Sequence, residues 1–192
     1  LSLSVGDILG MNLLRRTEGG QAAITHGNVR FGGAAAEPDR SGVWASGTVK
    51  VLDLDRWLAF FGQGKGGMRV EWGGIDVKLG AIDVLGWRFR DLAVNATAQG
   101  GQWRAALSGK ELDGDVTWQP EGRGKVVARM KTFAIPAAAP GASQTASRDP
   151  QSQQEPGDLP ALDITAEQFI VKDRALGRLE VTAVSEGRDW RL

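Results

Sequence analysis

Apolar and polar residues alternate along most of this chain. "QAAITHGNVRF" (21–31), "GVWASGTVKVL" (42–52), "MRVEW" (68–72) and "GIDVKLGAIDV" (74–84) come first. "FRDLAVNATA" (89–98), "QWRAALSG" (102–109), "GDVTWQ" (114–119) and "KVVARMKTFAI" (125–135) follow. A period of two puts the apolar side chains of each segment on one face, as in a strand with one buried side. The opening "LSLSV" reads the same way. Between the segments stand "EGGQ", "QGGQ", "ELDGD" and "PEGRG", which are turn signals. Many strands joined by short Gly turns predict a mainly β fold, an antiparallel meander rather than βαβ units.

Two stretches depart from the alternation. In "DLDRWLAFF" (53–61), Leu54, Trp57, Leu58 and Phe61 fall at i, i+3, i+4 and i+7, with Asp53 placed as an N-terminal cap. That spacing predicts one short amphipathic helix near 54–61, ended by "GQGKGG". Residues 136–160, "PAAAPGASQTASRDPQSQQEPGDLP", contain almost no large apolar side chain. Such a segment cannot bury enough surface to offset its ordering entropy, so a disordered loop is expected there. The chain therefore divides into an antiparallel β segment over 1–135, the loop 136–160, and a further β segment over 161–192.

The last segment repeats an earlier one. Sliding the sequence by 87 residues lays 75–104 on 162–191 without a gap, and eight of the 30 positions match. Leu92/Leu179, Val94/Val181 and Ala96/Ala183 match at alternate positions, and Gly100/Gly187, Trp103/Trp190 and Arg104/Arg191 match near the end. Two unrelated amphipathic hairpins share alternation, but a gapless register that keeps Gly and Trp-Arg points to a true repeat, hence to an array. The first copy runs on through "AALSGKELDGDVTW", whereas Trp190-Arg191 is followed by Leu192 alone. The 161–192 segment is thus expected to be a truncated next repeat, and the chain a piece of a longer protein.

Composition narrows the function classes. Lys and Arg total 23, Asp and Glu 23, and the net charge is zero. With no basic run to follow a phosphate backbone, nucleic acid is not an expected partner. Cys is absent, which removes disulfides and thiol chemistry. No apolar run approaches the ~18 residues that span a bilayer.

Candidate chemistry is sparse. "GQGKGG" (62–67) lacks the spacing of a phosphate-binding loop, and Lys65 is followed by Gly rather than by a magnesium-binding hydroxyl. His26 is the only His and has no Cys partners for a zinc site. Asp53/Asp55 and Asp113/Asp115 are spaced carboxylates of a kind glycosidases use, but they sit at a helix start and in a turn, where Asp bonds locally. "NAT" (95–97) spells a glycosylation sequon. No enzyme, cofactor or metal is expected. Trp57, Trp72, Trp87, Trp103 and Trp118 recur every 15 or 16 residues, and the strand Trp residues suit either a core or the half-wet rim of an apolar surface.

Three longer stretches resemble the YhdP-type, AsmA-like envelope proteins of Gram-negative bacteria. They are "GTVKVLDLDRWLAFF", "GQWRAALSGKELDGDVTWQPEGRGKVVARMKTFAIP" and "LPALDITAEQFIVKDRALGRLEVTAVSEGRDWRL", covering about 47–135 and 159–192. The resemblance implies a long periplasmic protein anchored in the inner membrane, whose repeated strands form an elongated, curved sheet with a hydrophobic groove. It also implies a role in moving phospholipid between inner and outer membranes, with acyl chains and neighbouring repeats of the same chain as partners. The alternative is a structural or protein-interaction β module of the envelope.

Alternation nominates the groove face. Leu92, Val94, Ala96, Trp103, Ala105, Leu107, Val116 and Trp118 form one set, repeated in Leu162, Ile164, Leu179, Val181 and Trp190. The opposite positions include Asn95, Thr97, Arg104, Ser108 and Thr117, which suit water. A face of this kind is either lined by bound acyl chains or closed by a second sheet. Exposed strand edges at the ends of such an array predict self-association. Light scattering should find dimers or larger species in concentrated solution, and a strictly monomeric chain would contradict exposed edges.

Overall fold

The computed structural model describes residues 1–18, 21–54, 69–84, 86–122, 124–136, 160–186 and 189–191. Among the described residues thirteen strands run in chain order: β1 (Ser2–Val5), β2 (Leu9–Glu18), β3 (Gln21–Phe31), β4 (Gly42–Asp53), β5 (Arg69–Val70), β6 (Trp72–Val84), β7 (Trp87–Gln99), β8 (Gln102–Ser108), β9 (Leu112–Gln119), β10 (Lys125–Ile135), β11 (Ala161–Val171), β12 (Arg174–Glu186) and β13 (Asp189–Arg191). They form one open sheet that follows chain order from β1 to β13, with β5 set aside against β3. The fold is mainly β and elongated, as the alternation and the resemblance imply. Of the expected helix only Leu54 is among the described residues. Nearly all of the expected loop, 137–159, lies outside them.

The sheet is mixed rather than purely antiparallel. β3 pairs with β4, β4 with β6, and β10 with β11, each in parallel. These junctions coincide with the long connections 32–41, 54–71 and 136–160, because a parallel step requires a crossover where an antiparallel step needs only a turn. The first crossover lies on the polar face. Asn12 Nδ2 donates to the carbonyl oxygens of Ala35 (2.9 Å) and Ala36 (3.2 Å), and Asn28 Nδ2 to those of Ala36 (3.3 Å) and Glu37 (2.9 Å). Gly10 is required beneath it, since a Cβ there would stand 2.3 Å from Ala35 N.

The 87-residue echo is structural. β6, β7 and β8 return 87 positions later as β11, β12 and β13. Ile75↔Ala96, Val77↔Val94 and Leu79↔Leu92 become Leu162↔Ala183, Ile164↔Val181 and Ala166↔Leu179. Gln99↔Gln102 and Ala98↔Trp103 become Glu186↔Asp189 and Ser185↔Trp190. The parallel strand before each hairpin recurs too, Ala45↔Ile75 answering to Val126↔Leu162. The repeat therefore comprises five strands in spatial order, β4-β6-β7-β8-β9, with β10 opening the next.

Each unit carries the same break in alternation. Val77, Leu79, Ile82, Phe89 and Leu92 belong to one apolar cluster, joined by Val49 and Leu52. Leu79 and Ile82 are three residues apart, as are Phe89 and Leu92, so strict alternation would set them on opposite faces. The strands skip one step together at Lys50, Gly80 and Asp91. Asp91 has φ +50°, and a Cβ on Gly80 would lie 2.7 Å from the Lys50 carbonyl oxygen. In the second unit the skip falls between Met130 and Thr132 and between Ala166 and Phe169. The apolar face thus stays continuous across the break. One position departs: Leu176, the counterpart of buried Phe89, is 63 % exposed. Phe169 pairs instead with Gly177, whose φ of +91° admits the local shift.

The close approach at the break gives a stability test. Gly114 has φ +145°, and a Cβ there would lie 2.4 Å from the Arg129 carbonyl oxygen, whereas Gly86 (φ +79°) has open space around it. Gly86→Ala should cost about 1 kcal/mol for the left-handed backbone alone, and Gly114→Ala about 3 kcal/mol or more once the clash is added. Urea denaturation of the two variants should show that order.

Candidate functional site

Pairing across the sheet assigns every residue to a face. One rung runs Ile75, Ala96, Ala105, Val116, Ala128, Ile164, Val181. A second runs Val77, Val94, Leu107, Gly114, Met130, Ala166, Leu179, and a third runs Ala98, Trp103, Trp118, Val126, Leu162, Ala183. Directly paired residues share a face. Twelve of the thirteen residues nominated from alternation therefore lie on one face: Leu92, Val94, Ala96, Trp103, Ala105, Leu107, Val116, Trp118, Leu162, Ile164, Leu179 and Val181. Trp190 pairs through its backbone with Ser185, the position equivalent to Ala98.

The face extends beyond the nominated set. Phe31 and Gly47 continue the second rung toward β1, through Leu9 and Val5. Phe133 and Phe169 pair next to the alternation break, with ring centroids 5.5 Å apart. Alternation within β10 and β11 was visible, but their parallel pairing was not. The residues beyond each break, Ile82, Phe89, Phe133 and Phe169, have the wrong parity for a simple count.

No described element lies over this face. The described strands form a single sheet, and its apolar clusters join only side chains of strands at most two places apart in it. Small residues are sunk between taller ones, Ala166 at 0 % and Ala183 at 1 % exposure. Val94, Leu107, Val116, Trp118, Ile164, Leu179 and Val181 remain half-buried. Trp72 and Trp103 stand on β6 and β8, with β7 between them, an interval of about 9.6 Å. Their ring centroids are nevertheless only 6.2 Å apart, at an interplanar angle of 55°. The rings lean together over the small side chains of β7.

The opposite face is polar. Its rungs include Asp76, Asn95, Ala106, Asp115 and Arg129, and Thr97, Arg104, Thr117 and Val127. The spaced carboxylates Asp113 and Asp115, the sequon residues Asn95 and Thr97, and His26 all lie on this side. His26 Nδ1 is 3.1 Å from Thr25 Oγ1. Asp55 and "GQGKGG" lie outside the described residues. Among the described residues no group of three or more His, Cys, Asp or Glu side chains could hold a metal ion.

Ion pairs mark the polar side. Arg88 donates to both carboxylate oxygens of Asp83 at 2.6 and 2.7 Å, beside the β6–β7 turn. Arg129 Nη1 donates to Asp163 Oδ1 at 2.7 Å and to the Asp163 carbonyl at 3.1 Å, clamping the parallel β10–β11 junction. The hydrogen bond from Arg129 holds the Asp163 carboxyl below its usual range, and the one from Arg88 does the same for Asp83. At the other end of the sheet the Arg40 guanidinium lies 3.8 Å from the Trp44 ring centroid. That ring packs over Gly73 and Gly74, where a Cβ would strike it at 2.3–2.4 Å.

A family model described as YhdP protein matches residues 1–192, the whole chain. No curated protein and no solved structure matches it.

The Asp163 pair predicts a pH dependence with a definite sign. Its folded pKa lies below the unfolded value of about 3.9, so its contribution is present above that value and is lost as pH falls through the lower folded one. The difference in thermal midpoint between the native chain and Asp163→Asn should be present at neutral pH and vanish in strong acid. It should also shrink in high salt, because the pair is exposed.

Proposed function

Because the chain belongs to the YhdP family, we propose that its apolar face is a segment of a groove carrying phospholipid acyl chains between the inner and outer membranes. Family membership supports an envelope protein, and the periplasm is where a lipid path between two membranes has to run. The observation that carries the reading is the three apolar rungs shared by both repeat units, whose described side chains pack only with neighbours in the same sheet. A contiguous apolar surface of this kind calls for a partner, and acyl chains supply one without needing complementary side chains. The groove performs no bond chemistry. Its part is to replace water along the chain, so that each buried methylene keeps roughly the 0.8 kcal/mol it would lose on entering water.

The rungs also account for the repeat. Lipid can pass from one unit to the next only if the face does not change character at the junction. The parallel β10–β11 step keeps Ala128 beside Ile164 and Met130 beside Ala166, apolar against apolar. No helix of the described residues is long and apolar enough to cross a membrane, and an inner-membrane anchor is proposed to lie elsewhere in the protein.

Val94→Asp and Val181→Asp, made in the intact protein, set a charge at equivalent positions of the two units. A dry carboxylate costs several kcal/mol, so lipid crosslinking and outer-membrane lipid supply should fall sharply. Thermal stability should change little, because a wall with no described layer above it can hydrate the charge. If the variants lose stability yet carry lipid normally whenever folded, the face is a structural core and the protein an interaction module of the envelope.

A further inference from the structure

The apolar band is not the same at its two rims. At the end of the strands where β7 meets β8, Trp103 pairs directly with Trp118, and the Trp72 ring reaches Trp103. These three indoles form a row at the edge of the face, with Trp72 37 % exposed. The hairpin and strand ends beyond them carry Gln99 paired with Gln102 and Gln119 paired with Lys125. At the far end the row is made of Phe instead. Phe133 and Phe169 stack, and Phe89 is buried in the main cluster beside Ile82 and Leu52. Trp87 also lies at this second rim, packed against that cluster.

The rims differ in their number of hydrogen-bond donors: three indoles at the first, and at the second only that of Trp87 beside the Phe rings. Trp presents a large apolar ring and one N–H, which is why it favours the boundary between hydrocarbon and water. Among the described indoles, Trp44 donates to the Ser41 carbonyl at 3.0 Å on the polar face. Those of Trp72, Trp87, Trp103 and Trp118 donate to no group among the described residues. A row of half-exposed rings with free donors, backed by amides and an ammonium, suits a ligand end bearing acceptor oxygens. A row of Phe suits only hydrocarbon.

Resting on the lipid-carrying reading above, we propose that each phospholipid lies across the sheet, its acyl chains parallel to the strands. Its ester and phosphate oxygens sit at the Trp72–Trp103–Trp118 rim, and its chain ends at the Phe133–Phe169 rim. The dimensions agree. From row to row the chain takes six residue steps on β9 (Trp118 to Leu112) and seven on β10 (Val126 to Phe133), about 20–23 Å of strand. The hydrocarbon of a single leaflet is about 15 Å thick, so one layer of chains fits between the rims with its polar end at the Trp row. Lipids would then advance sideways from strand to strand, each keeping the same orientation.

The test uses the intact protein and two photoreactive phospholipids, with crosslinks assigned to peptides by mass spectrometry. One probe carries its reactive group next to the glycerol, the other at the end of an acyl chain. The glycerol probe should label peptides containing Trp103 and Trp118, and the chain-end probe those containing Phe133 and Phe169. Equal labelling of both rims by both probes, or the reverse assignment, overturns the orientation while leaving the groove reading intact. Labelling of the polar face alone overturns both. Trp103→Phe combined with Trp118→Phe keeps the rings and removes two donors. Glycerol-probe labelling should then fall about two- to tenfold, the range expected for lost hydrogen bonds, with chain-end labelling unchanged. An undiminished glycerol-probe yield overturns the role given to the indoles.

Discussion

Ladder hydrogen bonding, together with packing between neighbours on one face, holds the described sheet together. In a sandwich the inner faces of two sheets bury one another and the core lies between them. Here the described strands form one sheet, and apolar burial comes from neighbours on the same face. That explains the side chains chosen. Alanines at 96, 128, 166 and 183 are buried because larger residues on adjacent rungs lean over them, whereas the tall residues stay half-open. It also explains why the breaks are coordinated. If one strand skipped a step and its partners did not, the apolar face would be cut at that strand, with no described layer to repair it.

The strands themselves were legible. β3, β10 and the β7–β8 hairpin begin and end close to where alternation and glycine turns place them, because period-two patterning is a local property. The repeat was legible for the same reason, and its pairing registers agree along most of its length. Parallel pairing was not legible. Nothing local in 32–41 or 136–160 states that the chain returns in the same direction, although the length of each connection permits it. The alternation breaks were hidden for another reason. At Gly80 and Asp91 the phase of the pattern changes within a strand, and a count of alternate residues mistakes Ile82 and Phe89 for the opposite side.

Of the candidate face, the nominated residues came from two amphipathic hairpins read separately, and pairing joins them through β9 and β10. Met130 could have been added had the parallel junction been foreseen, whereas Phe133 and Phe169 lie beyond the breaks and have the opposite parity. The asymmetry between rims was out of reach. Trp72 and Trp103 are 31 positions apart in the sequence, and only the leaning of their rings over β7 brings them together.

The two copies of the repeat are also displaced relative to one another. The rung that starts at Ala45 reaches Ala128 on β10, whereas the residue equivalent to Ala45 is Val126, two positions earlier. Two residues amount to about 6.6 Å along a strand, set against about 24 Å for five strands side by side. Equivalent residues therefore follow a line inclined by about 15° to the rungs. If later repeats keep the same displacement, that line becomes a screw, and whatever travels from unit to unit turns about the long axis as it advances. The number of repeats would then set both the distance covered and the direction in which the open side faces at the far end.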